Sequence, residues 1–218
     1  MDKFIDIRVF YKKRGRIKYI SHLDMNRCMQ RALVRTGLPC WHTEGFNPHL
    51  YLTFALPLSL GYESDCEIMD FRLTEEIDLG EVQNRLNAVL PEGLEVYRVA
   101  LKGEKFDKIV SADYTVELYG DVEQLERRFS DFLSEPWIEV EKKTKKGTKT
   151  VDLKPEILSC QTERGEGCLR LKLRLPAGKK TINPGLLTDE FERVNPGIVS
   201  RVSFLRTAVW CGEGLPFA

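Results

Sequence analysis

The sequence lacks the features of a membrane-spanning or secreted protein. None of its apolar stretches approaches the ~18 residues that a transmembrane helix requires, and the longest, Leu50–Tyr62, is interrupted by Pro57. The first residues, MDKFIDIRVF, alternate charged and bulky side chains and contain no apolar signal core. We therefore expect a cytoplasmic location and no membrane partner.

Metal-binding cysteine motifs are also absent. The six cysteines are far apart, with no CxxC pair and none of the tight spacings that bind zinc. The CxxxCxxC motif that holds the iron–sulfur cluster of radical SAM enzymes is missing as well. We expect reduced cysteines that behave mostly as small apolar residues, and no cofactor.

The chain has no net charge, because 33 basic side chains balance 33 acidic ones, yet the two signs are segregated. The net charge is +7 over residues 1–40, −9 over 41–95, −4 over 96–140 and +6 over 141–218. Two interpretations remain open. Either the basic segments gather into one cationic face, or exposed faces alternate in sign and the arginines pair with the acidic middle.

Hydrophobic periodicity predicts the element order β-α-β-β-α-β twice along the chain. The four helices are predicted to begin at the capping residues Ser21, Asp78, Asp121 and Asn183. Short strands are expected around Trp41 and over Leu153–Gln161. The second half contains one additional charged hairpin, Lys142–Lys149.

The sequence thus predicts an α+β fold of two tandem ferredoxin-like β-α-β-β-α-β modules. Each module has an antiparallel sheet with its helices on one face. The predicted boundaries are 1–104 for the N-terminal module and 105–218 for the C-terminal module, which includes the extra β-hairpin.

Basic side chains before and along the first helix are the main candidates for a nucleic-acid interface. Arg27, Arg31 and Arg35 recur every four residues, opposite the apolar side of the helix. Guanidinium groups bind phosphate through paired hydrogen bonds, so such a row beside a basic turn can neutralise several phosphates. The candidate RNA-binding residues are Arg14, Arg16, Lys18, Arg27, Arg31, Arg35, Asn47, His49, Lys142, Lys143, Lys145 and Lys146.

Two of these segments have alternative interpretations. Lys142–Lys149 is either a basic finger that grips an RNA backbone or a solubilising hairpin tip. Asn47-Pro48-His49 either closes an Asx-type turn or contacts a phosphate or a base edge. The aromatic signature of RNA-recognition motifs is absent, so base stacking of that particular type is not expected.

All three histidines, His22, His42 and His49, fall within 28 residues. Together with nearby carboxylates they are weak candidates for a metal site, because their spacing matches no known ligand signature. At the first turn of a helix His22 fits a packing role best, and it is also the one candidate for a catalytic base.

Several motifs occur together in the first half: SHLD at 21–24, LP at 38–39, EGFNPH at 44–49 and ALPLSLGYESDCEIMD at 55–70. In combination they resemble the radical-SAM-associated domain family of unknown function, in its free-standing form. Leu50 departs from the proline that this family usually has after the GFNPH motif. The resemblance implies a partner, a radical SAM enzyme, rather than a reaction.

The leading functional hypothesis is a non-enzymatic accessory protein that binds RNA, with tRNA or ribosomal RNA as candidates, and/or docks to a radical SAM enzyme. One alternative is a pure protein-docking subunit that uses the acidic middle and Leu50–Tyr62. Another is a metal-independent RNA endonuclease in which His22 promotes attack by a ribose 2′-OH. The last is similar only in layout to CRISPR-repeat-processing endonucleases, and their glycine-rich loop is not evident here.

Overall fold

The structure, a computed structural model, describes residues 4–144 and 147–217. The chain is a mixed α+β protein whose described part contains four α-helices and mostly antiparallel strands. It divides into two compact units, a first unit that ends at Phe106 and a second unit, Asp107–Phe217. None of the described helices is both long enough and apolar enough to cross a membrane.

The first unit follows the order β-α-β-β-α-β. Its elements are β1 (Ile5–Lys13), α1 (His22–Thr36), β2 (Leu52–Phe54), β3 (Glu63–Leu73), α2 (Leu79–Val89) and β4 (Leu94–Leu101). β1 pairs antiparallel with β3 and β4, and β2 pairs antiparallel with the other edge of β3. The strand order of this sheet is therefore β4-β1-β3-β2.

Successive side chains of β1 point to opposite faces of the sheet. The core of the first unit lies on one face, and a layer of ion pairs lies on the other. Ile7, Val9 and Tyr11 are buried in one cluster with apolar residues of α1 and α2. Arg8 points to the opposite face, where it lies in register with Asp70 of β3 and bonds to it. The helices thus cover one face of the sheet, and paired charges occupy the other.

The second unit repeats this order with one additional hairpin. Its elements are β5 (Ile109–Tyr119), α3 (Val122–Ser134), β6 (Glu139–Thr144), β7 (Gly147–Asp152), β8 (Ser159–Gly165), β9 (Cys168–Pro176), α4 (Pro184–Val194) and β10 (Arg201–Cys211). β10, β5, β9 and β8 are neighbours in that order, and each pair is antiparallel. β6 and β7 pair with each other in a separate two-stranded sheet.

Aromatic packing joins the two helices of the second unit. Phe129 of α3 lies 5.1 Å from Phe191 of α4 between ring centroids, and Phe132 lies 5.4 Å from the same ring. On the opposite face of the sheet, Arg174 binds Asp113, its cross-strand partner, at 2.6 Å. This arrangement leaves the outer sides of α3 and α4 exposed beside the hairpin.

The predicted helix starts are confirmed. Ser21, Asp78, Asp121 and Asn183 each accept a backbone hydrogen bond at the start of the helix that follows. These side chains satisfy amide groups that have no partner within the helix, which is a local effect that a short sequence window contains.

One predicted strand begins later than expected, and another is wrong. In the segment predicted as Leu153–Gln161, residues Lys154–Glu156 form a 3-10 turn and β8 begins only at Ser159. Pro155 cannot donate a ladder hydrogen bond, so a turn replaces the first half of that strand. Trp41 lies between isolated bridges instead of in a strand, and its ring packs against the Arg72 guanidinium.

Candidate nucleic-acid interface

Helix α1 presents three arginines on its exposed side. Its inner side is fixed by four buried apolar residues, Met25, Met29, Ala32 and Leu33. The arginines recur with nearly the period of one helical turn on the outer side, so Arg27, Arg31 and Arg35 are all exposed. Gly37 then ends the helix in the left-handed conformation, with a φ of 66°.

These arginines line a groove with a volume of about 450 Å³, which we call the arginine groove. Its other wall is formed by Val89 and Pro91, at and just beyond the end of α2. Arg31 makes no hydrogen bond or ion pair within the described part of the chain. Its guanidinium is therefore available to an anionic ligand.

The two arginines beside Arg31 are positioned by exposed contacts. Arg27 Nη1 lies 3.3 Å from Asp24 Oδ1, with both side chains more than half exposed, and Arg35 Nη2 donates to the Val89 carbonyl oxygen at 2.8 Å. A hydrogen bond from the Ser21 hydroxyl, assisted by Arg27, lowers the pKa of Asp24. The exposed Arg27–Asp24 pair contributes little stability, so Arg27 can exchange it for a phosphate. Arg35 uses one of its five N–H donors on the carbonyl, and the others can bind a phosphate.

The basic turn between β1 and α1 is largely neutralised by the acidic middle segment. Arg14 forms two hydrogen bonds to Asp65, at 2.6 and 2.8 Å, and a third contact of 3.4 Å to Glu63. Lys18 Nζ lies 3.8 Å from the same Glu63. Arg16 is exposed and makes no such pair within the described residues. Among the basic residues of this turn, all of them described, Arg16 is thus the one whose positive charge is not paired with a carboxylate.

The GFNPH segment forms a closed loop with an exposed aromatic tip. Thr43 and His49 hold its base, because Thr43 N donates to His49 O at 2.8 Å and His49 N donates to Thr43 Oγ1 at 3.2 Å. His49 Nδ1 also lies 3.1 Å from the Asn47 carbonyl oxygen. Phe46 is completely exposed, and the exposed Asn47 amide has no partner within the described residues.

His22 lies at the mouth of a small cavity. Its ring contacts Phe54 edge-on, with 5.1 Å between centroids. Behind it the cavity reaches the buried side chains of Tyr11, Lys13 and Glu67. The cavity volume is about 10 Å³, which is close to the minimum for one water and far below the ~300 Å³ of small-molecule sites.

The three histidines have separate surroundings. His42 Nδ1 lies 3.2 Å from the Cys40 carbonyl oxygen, whereas His49 belongs to the loop base and His22 contacts Phe54. Among the residues that the structure describes, no three His, Cys, Asp or Glu side chains are placed to hold a metal ion.

Carboxylates that were candidates for a metal site together with the histidines bind arginines instead. Glu63 and Asp65 bind Arg14, and the fully buried Asp70 binds Arg8.

The structure describes only part of the basic hairpin. Along β6 and β7 the backbone pairs Lys142 with Lys149 and Lys143 with Thr148. Lys145 and Lys146 lie outside the described residues.

Sequence reasoning missed two features of this region. Phe46 lies within a recognised motif, but its complete exposure depends on the loop closure by Thr43 and His49. Lys13 and Glu67 become buried neighbours in the His22 cavity although 54 positions separate them in the sequence. Charged residues in strands give no local signal of burial, so these contacts could be found only in three dimensions.

Comparisons with known proteins give a family but no activity. A family model described as "Uncharacterized protein conserved in bacteria (DUF2344)" matches residues 6–184. No curated protein matches the chain. Among solved structures, an unknown protein from Galdieria sulphuraria aligns with 93% of this chain and 96% of its own, at 13% identity and a TM-score of 0.27.

Proposed function

The chain belongs to this family of uncharacterized bacterial proteins, and from the geometry of its first unit we propose that it is a non-enzymatic accessory protein that binds RNA. The observation that carries the proposal is the arginine groove, in which Arg27, Arg31 and Arg35 are exposed along one side of α1. Charge-assisted hydrogen bonds from guanidinium to phosphate are about twice as strong as neutral ones. The sugar–phosphate backbone is the ligand that a row of arginines fits best.

Single-stranded RNA is the favoured form of the ligand. The Phe46 ring is exposed on a loop closed by hydrogen bonds, and the free Asn47 amide follows it directly. Unpaired bases stack on such rings and hydrogen-bond to amide groups through their edges, whereas the bases of a duplex are not accessible. Loop or tail segments of tRNA or ribosomal RNA have this character.

The surroundings of His22 do not favour the endonuclease alternative. Catalysis by a histidine at a ribose 2′-OH requires a site that holds the nucleotide around the imidazole. The cavity at His22 accommodates about one water, and within the described residues the imidazole contacts the Phe54 ring and forms no hydrogen bond. We therefore expect no cleavage of bound RNA.

The proposal also covers the fold, the partner and the location. The strand orders β4-β1-β3-β2 and β10-β5-β9-β8 support ferredoxin-like modules in both units. A radical SAM enzyme as protein partner rests on the motif resemblance, and a cytoplasmic location is part of the same proposal. Co-purification of such an enzyme with the tagged protein after ribonuclease treatment tests the partner, and its complete absence contradicts that part.

The test of RNA binding is fluorescence anisotropy with labelled single-stranded RNA at low salt. We expect Arg31→Ala to weaken binding at least tenfold, because one charge-assisted hydrogen bond contributes about 1.5–3 kcal/mol. The double substitution of Arg27 and Arg31 by alanine should remove most of the remaining affinity. RNA recovered from mixtures with the wild type and with His22→Ala should be intact on a denaturing gel.

Arg127 provides the matched control, since it is also an exposed arginine on a helix and lies on α3 of the second unit. Arg127→Ala should bind RNA as tightly as the wild type. Equal losses from Arg31→Ala and Arg127→Ala would contradict a specific role for the arginine groove. Undetectable binding by the wild type at low salt would remove the RNA proposal altogether.

A further inference from the structure

The second unit contains a wide groove that the RNA proposal does not use. Its volume is about 860 Å³, and it lies among α3, α4 and the strand β6. We call it the acidic groove, because six carboxylates and two arginines line it. Those carboxylates belong to Asp131, Glu135, Glu139, Glu141, Asp189 and Glu190.

Apolar side chains form the inner part of the acidic groove. Phe132, Ile138 and Val140 are buried there, each less than 10% exposed. Trp137 and Val194 also line the groove and are 64% and 46% exposed. Exposed tryptophan beside a buried apolar floor is typical of the central part of a protein–protein interface.

Most of these carboxylates form no ion pair with another described residue. Glu190 binds Arg193 at 2.6 Å, but the other five side chains form no ion pair within the described part of the chain. Burial, and after it the neighbouring charge of Glu192, raises the pKa of Asp189.

Two of the carboxylates, those of Asp131 and Glu135, lie where they destabilise the end of α3. Asp131 lies near the C-terminal end of α3, Glu135 follows that helix as its cap, and no basic residue occupies its last turn. Carboxylates at a helix C-terminus cost about 0.3–1 kcal/mol each through the helix dipole. Lys154 Nζ donates to the Leu133 carbonyl oxygen in the last turn of α3 and offsets part of this cost, but among the described residues it forms no ion pair with either carboxylate.

We propose that the acidic groove is the docking site for a basic amphipathic helix of a partner protein. The apolar side of that helix would pack on Trp137 and the groove floor, and its lysines or arginines would reach the five unpaired carboxylates. Negative lining of this density repels RNA, so the groove is not a second nucleic-acid site. The protein would thus have a cationic surface for RNA in its first unit and an anionic surface for a protein in its second.

The experiment uses a synthetic helical peptide of about 14 residues, ~21 Å long. Leucines occupy positions i, i+3, i+4 and i+7, and lysines fill the other positions. Binding to the full chain is followed by anisotropy of a label on the peptide and by tryptophan fluorescence, which Trp137 should shift when the peptide covers it. A second peptide with glutamate in place of every lysine tests the requirement for charge.

We expect the lysine peptide to bind with micromolar affinity and the glutamate peptide not to bind. The double substitution Glu135→Lys and Glu139→Lys should weaken the lysine peptide at least tenfold. Glu76→Lys with Glu166→Lys is the matched control, because both glutamates are exposed outside the groove, and it should have no such effect. Trp137→Ala should weaken binding and abolish the fluorescence change, and circular dichroism should show that all variants remain folded.

Absence of binding by the lysine peptide would overturn the proposal. Equal binding of both peptides would overturn it as well, since the groove would then be a purely apolar surface. A loss of affinity in the control variant as large as that in the groove variant would attribute the binding to overall charge. None of these outcomes depends on whether the arginine groove binds RNA.

Discussion

Asp70 is the most deeply buried charged residue of the GYESDCEIMD motif. Its carboxylate accepts hydrogen bonds from Arg8 Nε at 2.8 Å and from Arg8 Nη2 at 3.0 Å, and both side chains are at most 1% exposed. Arg8 also donates to the Glu104 carbonyl oxygen at 2.8 Å and lies over the Phe106 ring. Asp70 therefore holds β1, β3 and the end of the first unit together.

Removal of this carboxylate should destabilise the protein strongly. Asp70→Asn leaves Arg8 buried without its counter-charge, which costs about 3–5 kcal/mol in comparable pairs. Urea unfolding followed by circular dichroism measures the loss. Asp65→Asn is the control, because its pair with Arg14 is 32–41% exposed and should contribute about 1 kcal/mol or less. Similar losses in the two variants would contradict a structural role specific to Asp70.

The single residues of this motif illustrate what sequence could and could not predict. A run of acidic residues in a strand is equally compatible with metal ligands, a solvated face and buried ion pairs. The choice depends on cross-strand register, which places Asp70 opposite Arg8 at a distance of 62 positions in the chain. Register is a non-local property, so the role of Asp70 could not be read from its neighbours.

Among the elements, α1 and the loop that contains Phe46 make different contributions to the RNA proposal. The arginines of α1 provide charge, which attracts any nucleic acid without regard to base accessibility. The loop provides one aromatic ring and one amide, which require an unpaired base. The two elements should therefore affect RNA binding in different ways when each is changed separately.

Phe46→Ala should weaken single-stranded RNA binding about tenfold, because stacking of one base contributes about 1–3 kcal/mol. Anisotropy measurements should show a much smaller effect on a duplex of the same sequence. Phe46→Trp preserves a stacking surface and should restore the affinity. Trp137→Ala, which removes an exposed aromatic residue of the second unit, is the control and should leave RNA binding unchanged. Equal effects of Phe46→Ala on single and double strands would contradict base stacking.

The elements also show why helices were predicted better than grooves. Each helix start depends on a capping side chain within three residues of the amide that it satisfies. The arginine groove, in contrast, requires the end of α2 to lie beside α1, and Arg35 contacts Val89 across 54 positions. The acidic groove likewise combines residues of α3, β6 and α4. Such sites arise from packing between elements, for which the sequence pattern contains no direct signal.

For the whole molecule, a net charge of zero conceals sequence segments of opposite sign. The segregated charges of residues 1–95 partly cancel in three dimensions, because Arg14 and Lys18 pair with Glu63 and Asp65. Within residues 4–95, all of which the structure describes, the exposed positive charge outside such pairs is small and lies on α1 and at Arg16. Electrostatic attraction of RNA should therefore depend on few contacts.

The salt dependence of binding measures that number. On single strands, each neutralised phosphate lowers the logarithm of the binding constant by about 0.7 per decade of salt. If Arg16, Arg27, Arg31 and Arg35 are the contacts, the slope should lie between about −2 and −3. Participation of four of the five hairpin lysines, Lys142, Lys143, Lys145 and Lys146, would double the number of contacts.

A titration of RNA affinity between about 50 and 300 mM salt distinguishes the two cases. A slope near −3 or shallower that becomes about 0.7 less steep in Arg31→Ala supports the arginine groove as the main site. A slope of about −5 or steeper that is unchanged in Arg31→Ala would contradict it and assign the binding to the hairpin. The control Arg127→Ala should retain the wild-type slope. Arg127 lies outside the arginine groove and neutralises no phosphate there, so its loss does not change the number of counterions that binding releases.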